Sequence, residues 1–99
     1  VSARIQIDRE RVADFCRRHQ VRRLALFGSV LRDDFRPDSD VDVLVEFGPE
    51  ARAGLFEMAR MEAELEELIG RRVDLRTPAE LSRYFRDEVV AGAEVQYAA

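Results

Sequence analysis

Hydrophobic positions recur along this chain in two periods, and each change of period marks a new element. From Asp8 to about Gln20, Val12, Phe15, Cys16 and His19 fall three or four residues apart. That spacing predicts a helix with one apolar face, capped by the Asp8 carboxylate. Arg22 to Phe27 reads as a strand ended by Gly28-Ser29. Val30 to Ser39 carries Pro37 with several Asp and Arg residues, which predicts a loop or one short helical turn. The period of two is clearest from Asp40 to Phe47: Val41, Val43 and Val45 take one face, and Asp40, Asp42 and Leu44 the other.

Gly48-Pro49 ends that strand, and helical spacing returns from Gly54 to Ile69. Leu55, Met58, Met61, Leu65, Leu68 and Ile69 form its stripe, and Gly70 can take the positive φ that closes such a helix. Arg72 to Arg76 predicts a short strand built on Val73 and Leu75. Thr77-Pro78-Ala79-Glu80 has the form of a capping box with proline at the first helical position, so a helix is expected from there to about Ala91. Glu94 to Tyr97 predicts a last edge strand. The order α-β-β-α-β-α, with that final β, implies an α/β (α+β) fold: a small mixed sheet backed by helices.

Ninety-nine residues without repeats, linkers or low-complexity tracts predict a single domain, residues 1–99. The 46% hydrophobic content is enough for a core, and the 36% charged content suits a soluble surface. A formal net charge of −4 gives no general attraction for nucleic acid or anionic membrane, so direct nucleic-acid binding is not expected. All sixteen basic residues are arginine. Lysine Schiff-base chemistry and a lysine-bearing P-loop are thereby excluded. The single Cys16 excludes an intrachain disulfide or a cysteine-based zinc site. No run approaches the roughly 18 apolar residues of a membrane span, and no signal-peptide pattern opens the sequence, so a cytoplasmic protein is expected.

Two features of the middle third carry chemistry. Gly28-Ser29 follows an apolar strand directly, and such a turn offers a hydroxyl, amides and close backbone approach to phosphate oxygens. Asp40-Val41-Asp42 puts two carboxylates on the same side of a valine-rich strand, where aspartate is disfavoured. At about 6 Å and an effective dielectric near 20, they repel by about 3 kcal/mol. A divalent cation reverses that sign, because hard oxygen ligands on a rigid strand suit Mg²⁺. Asp74, inside the next short strand, supplies a third carboxylate if the two strands are neighbours. Metals sharing such ligands clamp the attacking and leaving oxygens of an in-line phosphoryl substitution.

Leu26-Phe27-Gly28-Ser29, ten intervening residues and Asp40-Val41-Asp42-Val43 together resemble the signature of the DNA polymerase β-like nucleotidyltransferase superfamily. Asp38-Ser39, Arg32 and Arg72-Val73-Asp74-Leu75 before Thr77-Pro78 are similar to its minimal nucleotidyltransferase (MNT) branch. The likeness runs from about Val21 to Tyr97. It implies that Gly28, Ser29, Arg32 and Ser39 bind ATP or another nucleoside triphosphate. It also implies that Asp40, Asp42 and Asp74 are the catalytic and metal-binding groups, holding two Mg²⁺ ions, with Mn²⁺ as a substitute. The product would be a nucleoside monophosphate joined to a hydroxyl, with pyrophosphate leaving. The chain departs from the branch at Val30, where an arginine is usual, and at Asp33, where a glycine is usual. Both changes lower the positive charge expected around the phosphates.

The branch is typically paired with a HEPN-domain ribonuclease toxin, so the resemblance implies an antitoxin that transfers AMP to its partner protein. A non-catalytic module that neutralises its partner by contact is the alternative. A small-molecule nucleotidyltransferase fits less well, because a second substrate-binding domain is missing from the sequence. Phe56, Tyr84, Phe85 and Tyr97 exceed what a thin sheet can cover, which predicts a homodimer or a tight heterocomplex. The remaining features have structural readings: His19 as a surface or half-buried residue, Cys16 as a buried apolar one, and Met58 and Met61 as packing. Arg17-Arg18 and Arg22-Arg23 read as solvated charge at a helix-to-strand turn.

Overall fold

The structure, a computed structural model, describes residues 5–32, 35–49, 51 and 54–99. Helix α1 spans Arg9–Arg18, strand β1 Val21–Phe27, a 3₁₀ turn Gly28–Leu31 and strand β2 Val41–Phe47. Helix α2 spans Leu55–Ile69, strand β3 Val73–Arg76, a second 3₁₀ turn Pro78–Glu80, helix α3 Arg86–Gly92 and strand β4 Glu94–Ala98. The sheet order is β3-β2-β1-β4. β1 runs antiparallel to both β2 and β4, while β2 and β3 are parallel, joined by the crossover through α2. The sheet is therefore mixed, as the alternation of elements predicts.

One face of the sheet builds the core. Val12, Phe15 and Cys16 of α1 and Met61 and Leu65 of α2 pack on Leu24, Leu26, Val41, Val43, Val45, Val73 and Leu75. The Asp8 carboxylate accepts from the amides of Glu10 and Arg11 and caps α1; Gly70, at φ +79°, closes α2. Burial pushes the Cys16 thiol up to about 12, the direction expected of an inert core residue. The paired arginines around the first helix-to-strand turn meet acids: Arg18 pairs with Asp14 and Glu64, and Arg22 and Arg23 with Glu46. The His19 ring packs at a tilt against Phe15, centroids 4.6 Å apart, and lies 3.1 Å from Glu64 Oε1, a structural role.

Three expectations need correction. The capping box at Thr77 is present, with Glu80 accepting from the Thr77 amide, but it caps one 3₁₀ turn and no helix to Ala91. Leu81 is extended, and the Ser82 hydroxyl accepts from the Tyr84 amide, offering the backbone a local turn in place of the helix. Helix α3 starts only at Arg86. Leu55 does not join the buried stripe: it is 86% exposed, because α2 meets the sheet through Met61 and Leu65, further along. Val30 is fully buried in the core, so it does not face the phosphate side at all. Asp33 lies outside the described residues.

Side chains of α2 close the β3 edge of the sheet. On β3 the amides of Val73 and Leu75 each donate to a glutamate of α2, Glu66 and Glu62, both at 3.0 Å. These carboxylates occupy donors that an open edge would present to another strand. Glu62→Ala and Glu66→Ala should each cost about 1 kcal/mol and speed amide exchange at Leu75 and Val73 respectively. The glutamine variants should retain most of the protection. Exchange unchanged in both alanine variants would contradict this closure.

Candidate active site

Strand pairing assembles the candidate residues. Asp42 is the register partner of Asp74 across the parallel β2–β3 pair, and of Phe27 across the antiparallel β1–β2 pair. Asp40 precedes β2 by one residue, two before Asp42. The glycine after Phe27 therefore arrives beside the Asp42 side chain. Gly28 holds φ +76°, and a Cβ built on it would lie 2.2 Å from Asp42 Oδ2 and 3.1 Å from its Cγ. The positive φ favours glycine, and any Cβ there would force the Asp42 carboxylate or the turn to shift. Gly28-Ser29 and Asp40-Val41-Asp42 are thus two halves of one site.

Charge is concentrated there. Burial holds the Asp42 carboxyl above its ordinary range, and the neighbouring Asp74 and Asp40 push it further up; Arg32 and Arg76 act in the opposite direction. Among the described residues Asp42 forms no ion pair, whereas its two neighbours do. Arg76 Nε lies 3.0 Å from Asp74 Oδ1, and Arg72 Nε lies 3.3 Å from Asp40 Oδ1. As these side chains are turned, no three acidic, histidine or cysteine groups among the described residues converge on a point that could hold a metal ion. The strand register brings the three aspartates to neighbouring positions, and arginines pair with two of them.

The donor set nonetheless fits a divalent cation. Asp42 is a half-buried carboxylate destabilised by two carboxylate neighbours, and a hard cation relieves that destabilisation. The competing arginine pairs are solvent-accessible, with 39% of the Asp74 and 52% of the Asp40 side chain exposed. Such pairs are worth about 0–1 kcal/mol, little against coordination of a dication by the same oxygens.

The phosphate-side candidates are less uniformly placed. Ser29 lies in the 3₁₀ turn, its carbonyl accepts from the Arg32 amide at 2.9 Å, and its hydroxyl has no partner among the described residues. Arg32 is exposed at the end of that turn. Ser39 is engaged elsewhere: its hydroxyl accepts from the Arg36 amide at 3.1 Å within its own turn. Arg71 is a residue the sequence reading missed. It donates to the carbonyls of Arg36 and Ser39 at 2.7 and 3.0 Å, and its guanidinium lies over Phe35 at 4.5 Å. It fastens the loop that leads into Asp40, and no local pattern in Gly70-Arg71-Arg72 announces a contact 35 residues back.

Two hollows lie among the described residues. One, of about 500 Å³, is lined by Cys16, Val21, Gly48, Pro49 and Tyr97 and holds none of the candidate residues. A groove of about 340 Å³ is walled by Asp74 and Arg76.

The chain is similar to known proteins. The chain is 37% identical over 73 residues to a candidate protein adenylyltransferase of Methanocaldococcus jannaschii, covering 74% of this chain and 76% of that protein. It is 45% identical over 58 residues to the protein adenylyltransferase MntA of Thermococcus cleftensis, covering 59% and 57%. A solved structure described as a candidate minimal nucleotidyltransferase superposes with a TM-score of 0.70 at 40% identity, covering 86% of this chain and 85% of that one. A complex of an MNT antitoxin with a tri-AMPylated HEPN toxin of Shewanella oneidensis is similar with a TM-score of 0.65 at 17% identity, covering 92% and 70%; at that identity the likeness is one of fold. The nucleotidyltransferase domain family matches residues 9–95, from α1 into β4, and the chain belongs to that family.

Proposed function

We propose that this chain is an Mg²⁺-dependent protein adenylyltransferase that moves AMP from ATP to a hydroxyl of a HEPN-domain partner and thereby acts as its antitoxin. The observation that carries the reading is the close approach of Gly28 to Asp42, which joins the phosphate-type turn to the carboxylate strand. The curated relatives, both named as protein adenylyltransferases, support the type of transfer. The fold shared with the MNT antitoxin complex supports the type of partner.

In this reading Asp40, Asp42 and Asp74 hold two Mg²⁺ ions, or Mn²⁺ in their place. The ions supply charge neutralisation for the phosphates and for the oxygens that attack and leave. Gly28 and Ser29 hold the triphosphate through the turn's backbone and the Ser29 hydroxyl. Arg32 lies toward the phosphates, and Ser39 joins them once its hydroxyl leaves the Arg36 amide. Asp74 is placed to accept the acceptor's proton as the hydroxyl oxygen bonds to the α-phosphorus. The bond from that phosphorus to the bridging oxygen breaks, and pyrophosphate departs with the electron pair.

A second reading, neutralisation of the partner by contact alone, draws on the Arg72–Asp40 and Arg76–Asp74 pairs, which already engage two of the three carboxylates. Calorimetry with a non-hydrolysable ATP analogue separates the two. The transferase reading expects binding in Mg²⁺ or Mn²⁺ to be at least tenfold tighter than in EDTA, and Ser29→Ala to weaken it. Equal affinity with and without the metal would count against a metal-assisted site.

A further inference from the structure

A groove beside Asp74 shares a wall with the candidate site. Its floor is apolar: Leu55, Met58 and Ala59 of α2 face Leu75 of β3. Leu55, which lines the groove, is 86% exposed, and the adjacent Phe56 in the first turn of α2 is 81% exposed, with nothing in the described chain covering them. The polar wall is acidic, three carboxylates (Glu62, Asp74 and Glu80) against the single guanidinium of Arg76. Two of those carboxylates are already committed, Glu62 to the Leu75 amide and Glu80 to the amide and hydroxyl of Thr77. Among the described residues Asp74 is held by a solvent-accessible arginine alone, so it is the group an incoming hydroxyl can engage.

Resting on the transfer reading above, we infer that this groove is the acceptor-docking surface, and that it takes a polypeptide segment whose hydroxyl-bearing residue is flanked by apolar and basic side chains. The apolar flank covers Leu55 and Phe56, and the basic flank meets the acidic wall. The hydroxyl is then delivered to Asp74, beside its register partner Asp42. Specificity for the acceptor thus lies at the start of α2, apart from the turn at Gly28 that faces the nucleotide.

Fluorescence anisotropy with two labelled ten-residue peptides tests this without relying on turnover. Each carries one tyrosine, one serine and one threonine; one is flanked by leucine and arginine, the other by glycine and glutamate. The leucine–arginine peptide should bind at least tenfold tighter. Leu55→Glu combined with Phe56→Ser should erase the preference, and so should Ala59→Arg, which narrows the groove. All three positions are exposed, and melting curves check that the variants fold. Tyr84→Ser, at an 83% exposed aromatic on another element, should leave the preference intact. Equal or absent binding of the two peptides, a preference that survives the α2 variants, or one lost only in Tyr84→Ser would each overturn the assignment. If the preferred peptide binds through α2 yet never acquires AMP from ATP and Mg²⁺, the docking surface stands and the transfer reading falls.

Discussion

Asp42→Asn should lower nucleotide transfer by about three orders of magnitude, close to 4 kcal/mol of transition-state stabilisation, while leaving the metal-free fold as stable as before or more so. The two effects share one cause. Asp42 is half-buried, pairs with no cation among the described residues, and sits beside Asp74 and Asp40, so its charge is unfavourable until a metal arrives. Asparagine keeps the shape and removes the charge. At low salt the apo protein should gain on the order of 0.5–2 kcal/mol, the lower end applying where solvent screens the pair.

The pH dependence has a definite sign. Folding raises the Asp42 pKa, so the native state resists its ionisation. That penalty is present above the raised pKa and fades as pH falls through it. The melting advantage of Asp42→Asn in EDTA should therefore shrink on acidification through the range where Asp42 takes up its proton. A variant that melts several degrees below wild type in EDTA yet transfers normally would instead make Asp42 a structural residue.

Gly28→Ala should be the more disruptive change to the site as a whole. The added Cβ would meet Asp42 Oδ2 at 2.2 Å, and alanine would have to occupy φ +76°. The conformational term alone costs on the order of 1–2 kcal/mol, and the steric term forces either the Asp42 carboxylate or the turn to move. We expect a melting point lowered by several degrees and transfer reduced at least a hundredfold. The loss should persist at saturating ATP, because in the proposed function the displaced group is a carboxylate of the reacting centre. Wild-type activity in this variant would show that the turn and the carboxylate strand work independently.

The readability of the sequence followed the range of the interactions involved. Valine alternation from Val41 to Val45 announced β2 and its faces, because burial on one side of a strand repeats every second residue. The placement of Asp74 beside Asp42 was conditional on strand order, which is a non-local property. The Arg76 pairing was accessible in principle, since Arg72, Asp74 and Arg76 alternate along one face of a strand. Arg71, Glu62 and Glu66 were not accessible: each acts on backbone groups of another element, and nothing adjacent in sequence marks them. Thr77 to Glu80 misled for a different reason. The capping box is real, but it specifies a start, and at the next residues, Leu81 and Ser82, the chain leaves the helical path until α3 begins at Arg86. Val30 misled because a position usually filled by arginine in the branch was read as facing phosphate, while in this chain the side chain completes the core.

The central claim is that this chain attaches a nucleotide to a partner protein through Asp42, and the intact mass of that partner tests it most directly. A HEPN-domain protein from the same genome, co-expressed with the wild-type chain and purified, should carry one or more added AMP masses. The same protein co-expressed with Asp42→Asn should carry none. An unmodified partner in both preparations, still neutralised by the chain, would contradict the account and leave contact alone as the mode of action.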